Sequence, residues 1–427
     1  MKTAVIVGAG HRSLCYASYA ERHPDEFKIV GIAEPSDDRR RIVGERFGIP
    51  EERRYRSAEE LVAVPKFADA AINGTMDRQH VPTTIPLLER GYDVLLEKPF
   101  AVSMEEVDAL EAAVRRTGRR VMICHVLRYA PFYVALKERV LAGEIGELID
   151  VQTAEHVSYH HYSTAFARGK WRRLEDGGSS FLMSKCCHDL DLITWFKSGV
   201  APVRVSSFGG LHYFTREHAP ANSGEHCLLD CPVEEACPYS VRKLYLNHPD
   251  RWVFYVWPEL EESGDLSIEA KTARLKDPSN PYSRCIWKMD NDVADRQVVA
   301  IEFADGSVAT HNLVGGTSRP MRKIHLLGTT GELEGVFDDN RFVIRHSDTR
   351  PGHEYSETVV DLNNLGDTTG AYGSHGGGDE RLTADFVAIL NGREKSVSCT
   401  ELADSINGHR IGFAADRARI EHTVVEL

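Results

Sequence analysis

The feature that most constrains this chain is a glycine-rich turn directly after its first apolar segment. Residues 3–7 are a largely β-branched run, Gly8-Ala9-Gly10 follows, and residues 14–23 are helix-like. This order predicts a strand, a tight turn and a helix, in which Gly8 permits the turn and Gly10 lets the backbone approach a pyrophosphate. N–H groups at a helix N-terminus favour such an anion. The sequence therefore predicts a dinucleotide site at this turn.

An acidic residue after the second predicted strand supports that prediction. Residues 27–33 are typical of a strand, and Glu34 follows them. A carboxylate there would accept hydrogen bonds from ribose hydroxyls and repel a 2′-phosphate, which favours NAD over NADP, although Arg39 and Arg40 lie nearby. Ser13 stands where the fingerprint has its third glycine, so we expect slightly looser packing of the helix on the strand.

Strand and helix segments alternate up to residue 126. Strands are predicted at 68–75, 91–96 and 119–125, with a helix over 81–90 between them. The alternation predicts an α/β fold whose first domain, residues 1–126, is a Rossmann-type doubly wound parallel sheet. Further predicted cofactor contacts are His11, Arg12, Ser13, Thr75, Asp77, His80, Glu97 and Lys98.

Glu97-Lys98-Pro99 follows a short apolar strand. The carboxyl ends of parallel strands form the edge at which ligands bind an open α/β sheet. Lys98 is therefore a candidate catalytic base, and Pro99 restricts the backbone beside it. From spacing alone, a solvated loop is an equal alternative.

The pattern changes after residue 126. Segments 148–156, 203–212, 297–303 and 308–313 are predicted strands, and further strands follow. Residues 127–427 are therefore predicted to form an α+β substrate domain with a large, mostly antiparallel open sheet. The long polar stretch at about 215–285 is predicted to be a functional or separately stabilised insertion.

The overall charge excludes some classes of partner. Lysine and arginine number 51 against 64 aspartate and glutamate residues, giving a formal net charge of −13. This balance argues against a general nucleic-acid or anionic-membrane binder, and no apolar run approaches the length of a membrane span. We expect a cytoplasmic protein whose partner is a small molecule.

Two residues of one predicted helix are further catalytic candidates. If residues 180–195 are helical, Lys185 and His188 are three positions apart and share a face, as do His188 and Asp191. His188 titrates near neutrality, and lysines clustered in a dry pocket lower each other's pKa. The predicted catalytic residues are therefore Lys98, Lys185 and His188. A buried helix with a solvated polar stripe is the alternative.

Several other residues are candidates for substrate binding. His125 and Arg128 leave the last predicted strand of the first domain, although Arg128 could equally form an interdomain salt bridge. His161 follows a later strand. The basic island at 168–173 could bind an anionic sugar such as a uronate or sulfonate, or it could be solvated. The full set of substrate candidates is His125, Arg128, Tyr129, His161, Arg168, Trp171, Arg172 and Asp189.

The polar insertion contains a group of cysteines. Cys227, Cys231 and Cys237 are spaced C-x3-C-x5-C, and Cys285 follows the insertion. Four thiolates that close a loop without its own core are typical of a structural zinc site. Free buried thiols are the alternative, because the spacing is not that of a standard finger. An iron–sulfur cluster is less favoured, since nothing else in the sequence suggests electron transfer.

Taken together, these motifs resemble the glucose–fructose oxidoreductase, inositol dehydrogenase and MocA group of sugar oxidoreductases. The resemblance rests on Gly8-Ala9-Gly10, on Glu97-Lys98-Pro99, and on Gly177-Gly178 with His188 and Asp191. The stretch from Lys185 to Asp191 and the late motif from His375 to Asp379 are similar to a sugar-oxidising branch. Ser184 departs from the commoner pattern, which has an aspartate four residues before the histidine.

The resemblance implies NAD-dependent oxidation of a sugar or glycoside, and homodimers or homotetramers built through the open sheet. Oxidation of a C3 hydroxyl acidifies the C2 proton, so the reaction could begin a redox-neutral glycosidase cycle of elimination, hydration and reduction. A simple inositol or free-sugar dehydrogenase is the alternative. A cofactor-binding sensor without catalysis is an alternative of another class, against which the lysines and the histidine speak.

Overall fold

The computed structural model describes residues 1–363 and 376–427. Within these ranges the chain forms two β-sheets. In chain order the strands are β1 (Lys2–Val7), β2 (Phe27–Ala33), β3 (Arg54–Tyr55), β4 (Ala70–Asn73), β5 (Asp93–Leu96), β6 (Val121–Ile123), β7 (Leu148–Ser158), β8 (Pro202–Gly210), β9 (Arg296–Phe303), β10 (Val308–Thr317), β11 (Met321–Gly328), β12 (Gly331–Val336), β13 (Arg341–Ser347), β14 (Tyr355–Asp361) and β15 (Val425–Glu426).

Helices cover the sheets and form most of the connections. In chain order the α-helices are α1 (His11–Ala17), α2 (Tyr19–Arg22), α3 (Asp37–Arg46), α4 (Ala58–Ala63), α5 (His80–Arg90), α6 (Met104–Thr117), α7 (Pro131–Leu141), α8 (Tyr159–Tyr162), α9 (Leu174–Gly177), α10 (Phe181–Phe196), α11 (Val253–Val256), α12 (Pro258–Ser263), α13 (Ile268–Leu275), α14 (Gly378–Leu390) and α15 (Leu402–Glu421). None of the helices in the described ranges is long and apolar enough to cross a membrane.

The N-terminal sheet is parallel throughout and has the order β3-β2-β1-β4-β5-β6. Its order reverses between β1 and β4, and a doubly wound sheet binds ligands beside such a reversal. The predicted Rossmann fold is therefore confirmed. Helix α6 follows Ser103, and its first turn is capped because the Ser103 hydroxyl accepts the Glu106 N–H at 3.3 Å.

The glycine-rich turn connects β1 to α1 as predicted. Gly8 has φ +75°, a left-handed conformation that costs glycine little. The Ser13 hydroxyl donates to the Gly8 carbonyl at 2.6 Å. A Cβ built on Gly74 would lie 2.2 Å from the Ser13 oxygen. The expected loosening at Ser13 is thus avoided, because Gly74 leaves space for the hydroxyl.

The C-terminal sheet is mixed and mostly antiparallel. Its order among the described strands is β14-β13-β12-β11-β7-β10-β9-β8-β15, and only the β7–β10 pair is parallel. Strands β9 and β10 form a hairpin, with Gly306 at φ +83° in the turn. The long helices α10 and α15 pack together, and α15 also contacts β8. The predicted α+β second sheet is confirmed.

The polar insertion is more ordered than its sequence suggests. It contains α11, α12 and α13, and it has a small hydrophobic core. The core includes Val241, Leu244, Tyr245, Trp257 and Leu275. The expectation that this segment has no core of its own is therefore wrong. Its helices are too short to give a clear hydrophobic period in the sequence.

Candidate functional site

A cleft of about 1020 Å³ lies where the N-terminal sheet, the C-terminal sheet, α10 and the insertion meet. The N-terminal sheet contributes the residues after β1, β4 and β5, which are its carboxyl ends. Predicted site residues that line the cleft are Gly10, His11, Arg12, Thr75, Asp77, His80, Glu97, Lys98, His161, Arg168, Trp171, Arg172, Lys185 and His188.

The glycine-rich turn faces this cleft in a manner that fits a dinucleotide. No side chain caps α1 at Gly10. A Cβ built on Gly10 would meet no atom within 4 Å, so the backbone is open to a ligand here. A pyrophosphate at this position would lie against the positive end of α1. The residues present therefore fit the NAD predicted from the sequence.

The other predicted cofactor residues lie around the turn. Glu34 accepts the Ala9 N–H at 2.7 Å and the Ser36 N–H at 3.0 Å, so it stabilises the backbone of the glycine-rich turn. Asp77 accepts the Trp171 indole N–H at 3.1 Å. His80 lies 2.7 Å from the Pro99 carbonyl oxygen and 3.1 Å from that of Thr75. A contact of Glu34 with a ribose stays a prediction.

The Glu97 carboxylate is the centre of a buried polar network. It accepts hydrogen bonds from the Arg12 guanidinium at 2.9 Å and from the Tyr16 hydroxyl at 2.6 Å. Burial would raise the pKa of Glu97, but Arg12 and then Lys98 outweigh it and hold the pKa below its usual value. Arg12 also pairs with Asp379, so the late motif reaches the cofactor domain. His375 of that motif lies outside the described residues.

Lys98 and His188 reach the cleft from two different elements, β5 and α10. Lys98 follows β5, its bond to Pro99 is cis, and its ammonium donates to the Ser184 carbonyl at 3.0 Å. Ser184 and His188 are one turn apart on α10, so they share a face. The residue that replaces the family aspartate therefore contacts the candidate base through its backbone.

Lys185 is bound to an acid that sequence reasoning missed. Its ammonium lies 3.1 Å from Glu155 of β7, and Glu155 also pairs with Arg322 of β11 at 2.7 Å. Arg322 in turn pairs with Asp189 at 3.2 Å. The Lys185 ammonium therefore faces a carboxylate rather than only a second ammonium, contrary to the expectation of mutually repelling lysines. Asp189 is buried in this network and does not line the cleft, so the geometry does not support its predicted contact with substrate.

His161 lies against an aromatic wall supplied by the insertion. Its ring is 4.6 Å from that of Trp252. Burial, with Lys185 adding to it, lowers the pKa of His161 well below its usual value, so the imidazole is neutral and suited to hydrogen bonding. Phe254 stacks on His11 at 4.0 Å, and Arg39 pairs with Glu262 of α12. The insertion therefore closes the cleft over the start of α1.

Besides Asp189, three further predicted substrate residues lie outside the cleft. Arg128 makes a bidentate ion pair with Asp191 at 2.6 and 2.7 Å and is 2% exposed. Tyr129 donates to Asp385 at 2.8 Å. His125 packs behind His188, with ring centroids 5.7 Å apart. The structure does not bring these three residues to the cleft, because the position of a strand end does not fix the direction of the residues after it. Arg128 does form a salt bridge, but its partner Asp191 lies, like Arg128, in the predicted second domain, residues 127–427.

Most of the basic island already has partners. Arg172 pairs with Asp290 and Asp176, both at 3.1 Å. Arg173 pairs with Glu175 at 2.8 Å. Arg168 is buried and donates to backbone carbonyls. Arg168 and Arg172 border the cleft, but their existing partners leave this arrangement without the expected arginine site for an anionic sugar.

The four insertion cysteines lie together but not at the spacing of a zinc site. All four line one small cavity. Within the described ranges, no three of their sulfur atoms lie within 4.8 Å of one another. Tetrahedral zinc with Zn–S bonds of about 2.3 Å would hold its sulfurs about 3.8 Å apart. The arrangement does not support the predicted single zinc ion.

Comparison with known proteins agrees with this geometry. Residues 2–125 match the family model described as the oxidoreductase family, NAD-binding Rossmann fold. Residues 137–427 match the model for the C-terminal alpha/beta domain of the same oxidoreductase family. The fold and the cleft thus define an NAD-binding oxidoreductase. The chain belongs to the Gfo/Idh/MocA family.

Individual relatives support the family and the fold. YteT of Bacillus subtilis (strain 168), named as an oxidoreductase, is 24% identical over 411 residues, or 90% of this chain and 88% of YteT. The scyllo-inositol 2-dehydrogenase (NAD⁺) of the same organism is 29% identical over 144 residues, or 34% of this chain and 41% of that protein. The WlbA dehydrogenase of Chromobacterium violaceum, solved with NADH and UDP-GlcNAcA, has a TM-score of 0.66 at 16% identity and covers 100% of this chain and 96% of its own.

The Arg128–Asp191 pair yields a prediction about stability. Arg128→Met leaves Asp191 buried without its cation, which should lower the free energy of unfolding by about 3–5 kcal/mol. In the wild type, burial raises the pKa of Asp191 and the Arg128 charge partly offsets this rise. Without Arg128, the pKa of Asp191 should rise further. The folded variant then binds more protons than its unfolded chain. Its loss of unfolding free energy relative to the wild type should therefore grow as pH rises from about 5 to about 8.

Urea unfolding at the two pH values measures this deficit. Arg173→Met is the matched control, because the exposed Arg173–Glu175 pair should contribute about 0–1 kcal/mol. Equal losses in both variants, or a deficit that shrinks with rising pH, would contradict the assignment.

Proposed function

We propose that this chain is an NAD-dependent enzyme that oxidises a ring hydroxyl of a sugar or glycoside at C3. The observation that carries the proposal is the convergence of Lys98, Lys185, His188 and His161 on one cleft that also contains the dinucleotide turn. A hydroxyl can lose hydride from its carbon only if a nearby group takes its proton. The cleft offers several such groups around the space of one sugar ring.

Different side chains of the cleft can serve different steps of the oxidation. When bound, NAD supplies the hydride acceptor. Lys98 follows β5, His188 lies on α10, and the Lys98 ammonium contacts Ser184 one turn before His188, so these two residues are the groups to orient the reacting hydroxyl and take its proton. His161, held neutral, can hydrogen-bond another ring hydroxyl. Trp252 and the insertion restrict the entry of water.

The second part of the proposal is that oxidation begins a redox-neutral cleavage of a glycosidic bond. A C3 ketone acidifies the C2 proton, a base removes that proton, and the C1–O bond breaks as the aglycone leaves. Water then adds at C1, a proton returns to C2 and hydride returns to C3. The net reaction is hydrolysis. The paired Lys185 and Glu155 favour this scheme, because a plain dehydrogenase needs only one base.

Two rival functions follow from particular observations. The named activity of scyllo-inositol 2-dehydrogenase favours a polyol dehydrogenase that releases NADH. A sensor that keeps the cofactor but lacks chemistry is a rival of another class. The retention of Lys98 and His188 in the cleft speaks against the sensor.

The charge of the substrate is a separate part of the proposal. Lys170 lines the cleft, and its ammonium lies 3.2 Å from the Met76 sulfur and over the Trp171 ring, rather than in a carboxylate pair. WlbA was solved with an acidic sugar nucleotide. An anionic sugar is therefore the proposed substrate class, with Lys170 rather than the island arginines as its contact.

Replacement of Lys98 tests the catalytic role. Lys98→Ala should lower sugar-dependent nicotinamide reduction by about 10²–10⁴-fold, the usual loss when a general acid or base is removed, with NAD affinity retained. Stopped-flow absorbance of reduced nicotinamide and calorimetric NAD binding measure the two effects. Lys28→Ala, an exposed change on β2, is the matched control. Unchanged turnover in Lys98→Ala would refute the assignment.

Chromogenic glycosides separate the redox-neutral scheme from a dehydrogenase. The enzyme and NAD are incubated in D₂O with neutral and anionic glycosides, while aglycone and reduced nicotinamide are followed together. Catalytic aglycone release without net NADH, and deuterium at C2 of the released sugar, is the expected result. Stoichiometric NADH without aglycone would leave a simple dehydrogenase, and aglycone release without deuterium at C2 would indicate direct hydrolysis.

The outer face of the C-terminal sheet supports the expected self-association. Along β9, residues alternate between buried and exposed positions, so one face is unpacked within this chain. Phe208 of β8 and Val298 of β9 are paired across the strands, and Phe208 is 70% exposed. Such apolar exposure is typical of a subunit contact.

A dimer or tetramer through this face should therefore form at micromolar concentration. Light scattering should give a mass of two or four chains for the wild type and a lower mass for Phe208→Glu. Ile420→Glu, an exposed apolar position on α15, should leave the mass unchanged. A monomeric wild type would exclude the proposed assembly.

A further inference from the structure

The four insertion cysteines surround a common cavity, which the catalytic cleft does not explain. The pairing of two distant segments creates the arrangement. The Cys227 N–H donates to the Ser283 carbonyl at 2.9 Å, and the Cys285 N–H donates to the Glu225 carbonyl at 2.8 Å. Cys231 and Cys237 complete the lining. The fold therefore brings together four sulfur ligands from both ends of the insertion.

A buried cation lies beside the cysteines. The Arg168 side chain is 0% exposed and borders the same cavity. Its guanidinium donates to the carbonyls of Arg284 at 2.8 Å and Tyr239 at 3.0 Å, and lies 3.9 Å from the Cys227 sulfur. Its Nη1 has no hydrogen-bond partner among the described residues.

A buried charge is costly unless an opposite charge compensates it. Within the described ranges, no ion pair joins Arg168 to a carboxylate. Neutral thiols would leave this cation uncompensated. A metal centre with four thiolates is negative as a whole, because the thiolate charge exceeds that of the metal core. Arg168 is placed to neutralise part of that excess.

The spacing of the sulfurs argues against a single tetrahedral ion and is compatible with a larger centre. A single ion draws its four sulfurs to about 3.8 Å from one another. No three of these sulfurs lie within 4.8 Å of one another among the described residues. A cubane of four irons binds each thiolate to a different iron, so its four ligands lie farther apart. The walls from Ile286 and Trp287 give the apolar surroundings in which such clusters persist.

We propose that Cys227, Cys231, Cys237 and Cys285 bind a [4Fe–4S] cluster, with Arg168 as its counter-charge. The cluster has a structural role and transfers no electron in the reaction. It ties the two ends of the insertion together, and the chain between Cys237 and Cys285 carries Trp252 and Tyr255 into the cleft. The cluster thereby holds the outer wall of the NAD cleft.

Metal analysis of the full-length protein, purified without oxygen and without added metal, tests the proposal. Four irons and four acid-labile sulfides per chain, with broad visible absorption, are expected. One zinc per chain without iron would overturn it in favour of a single-ion site. Two irons per chain, or a metal-free stable protein whose four cysteines all react with a thiol reagent, would also overturn it.

Variants show which residues bind the centre. Cys237→Ser should lose the iron, whereas Cys399→Ser, which changes another buried cysteine, should retain it. Arg168→Met should lower the iron content without removing a ligand. Full iron in Cys237→Ser would exclude that cysteine as a ligand and contradict the proposed site. Because metal content is measured apart from turnover, the result does not depend on whether the proposed sugar chemistry is correct.

Discussion

The buried Glu97 carboxylate is the constraint on which the catalytic arrangement depends. It accepts hydrogen bonds from Arg12 and Tyr16 of α1, and its other oxygen accepts the Lys98 N–H at 2.7 Å. One carboxylate therefore fixes both the start of α1 and the backbone of the candidate base. Removing one partner of such a buried pair typically costs about 3–5 kcal/mol, so these elements cannot move independently.

The two lysines of the cleft differ in what holds them. Lys98 donates to a backbone carbonyl, whereas Lys185 faces the Glu155 carboxylate, which Arg322 also contacts. Lys98 therefore has a neutral hydrogen-bond acceptor, whereas Lys185 has a charged one. The two ammonium groups thus have different partners on two walls of the cleft. This difference supports separate roles in one multistep reaction.

Sequence reasoning succeeded where the chemistry is local. The turn at Gly8, the strand end at Glu97 and the helix that carries His188 depend on neighbouring residues, and the structure has all three. It failed where partners are distant. Glu155 and Arg322 lie on alternating strands, where a charged residue looks like an ordinary solvent-facing one. Arg128 was found at the right strand end, but its direction is fixed by Asp191 on another element.

The aromatic wall of the cleft comes from a segment that neither sheet contains. Lys98, Lys185 and His188 are fixed by β5 and α10, whereas Trp252, Phe254 and Tyr255 belong to the insertion. Reaction chemistry and ligand shape are therefore encoded in separate stretches of the gene. Selection could exchange one insertion for another and redirect the enzyme to a new ligand, while the hydride-transfer machinery is inherited unchanged.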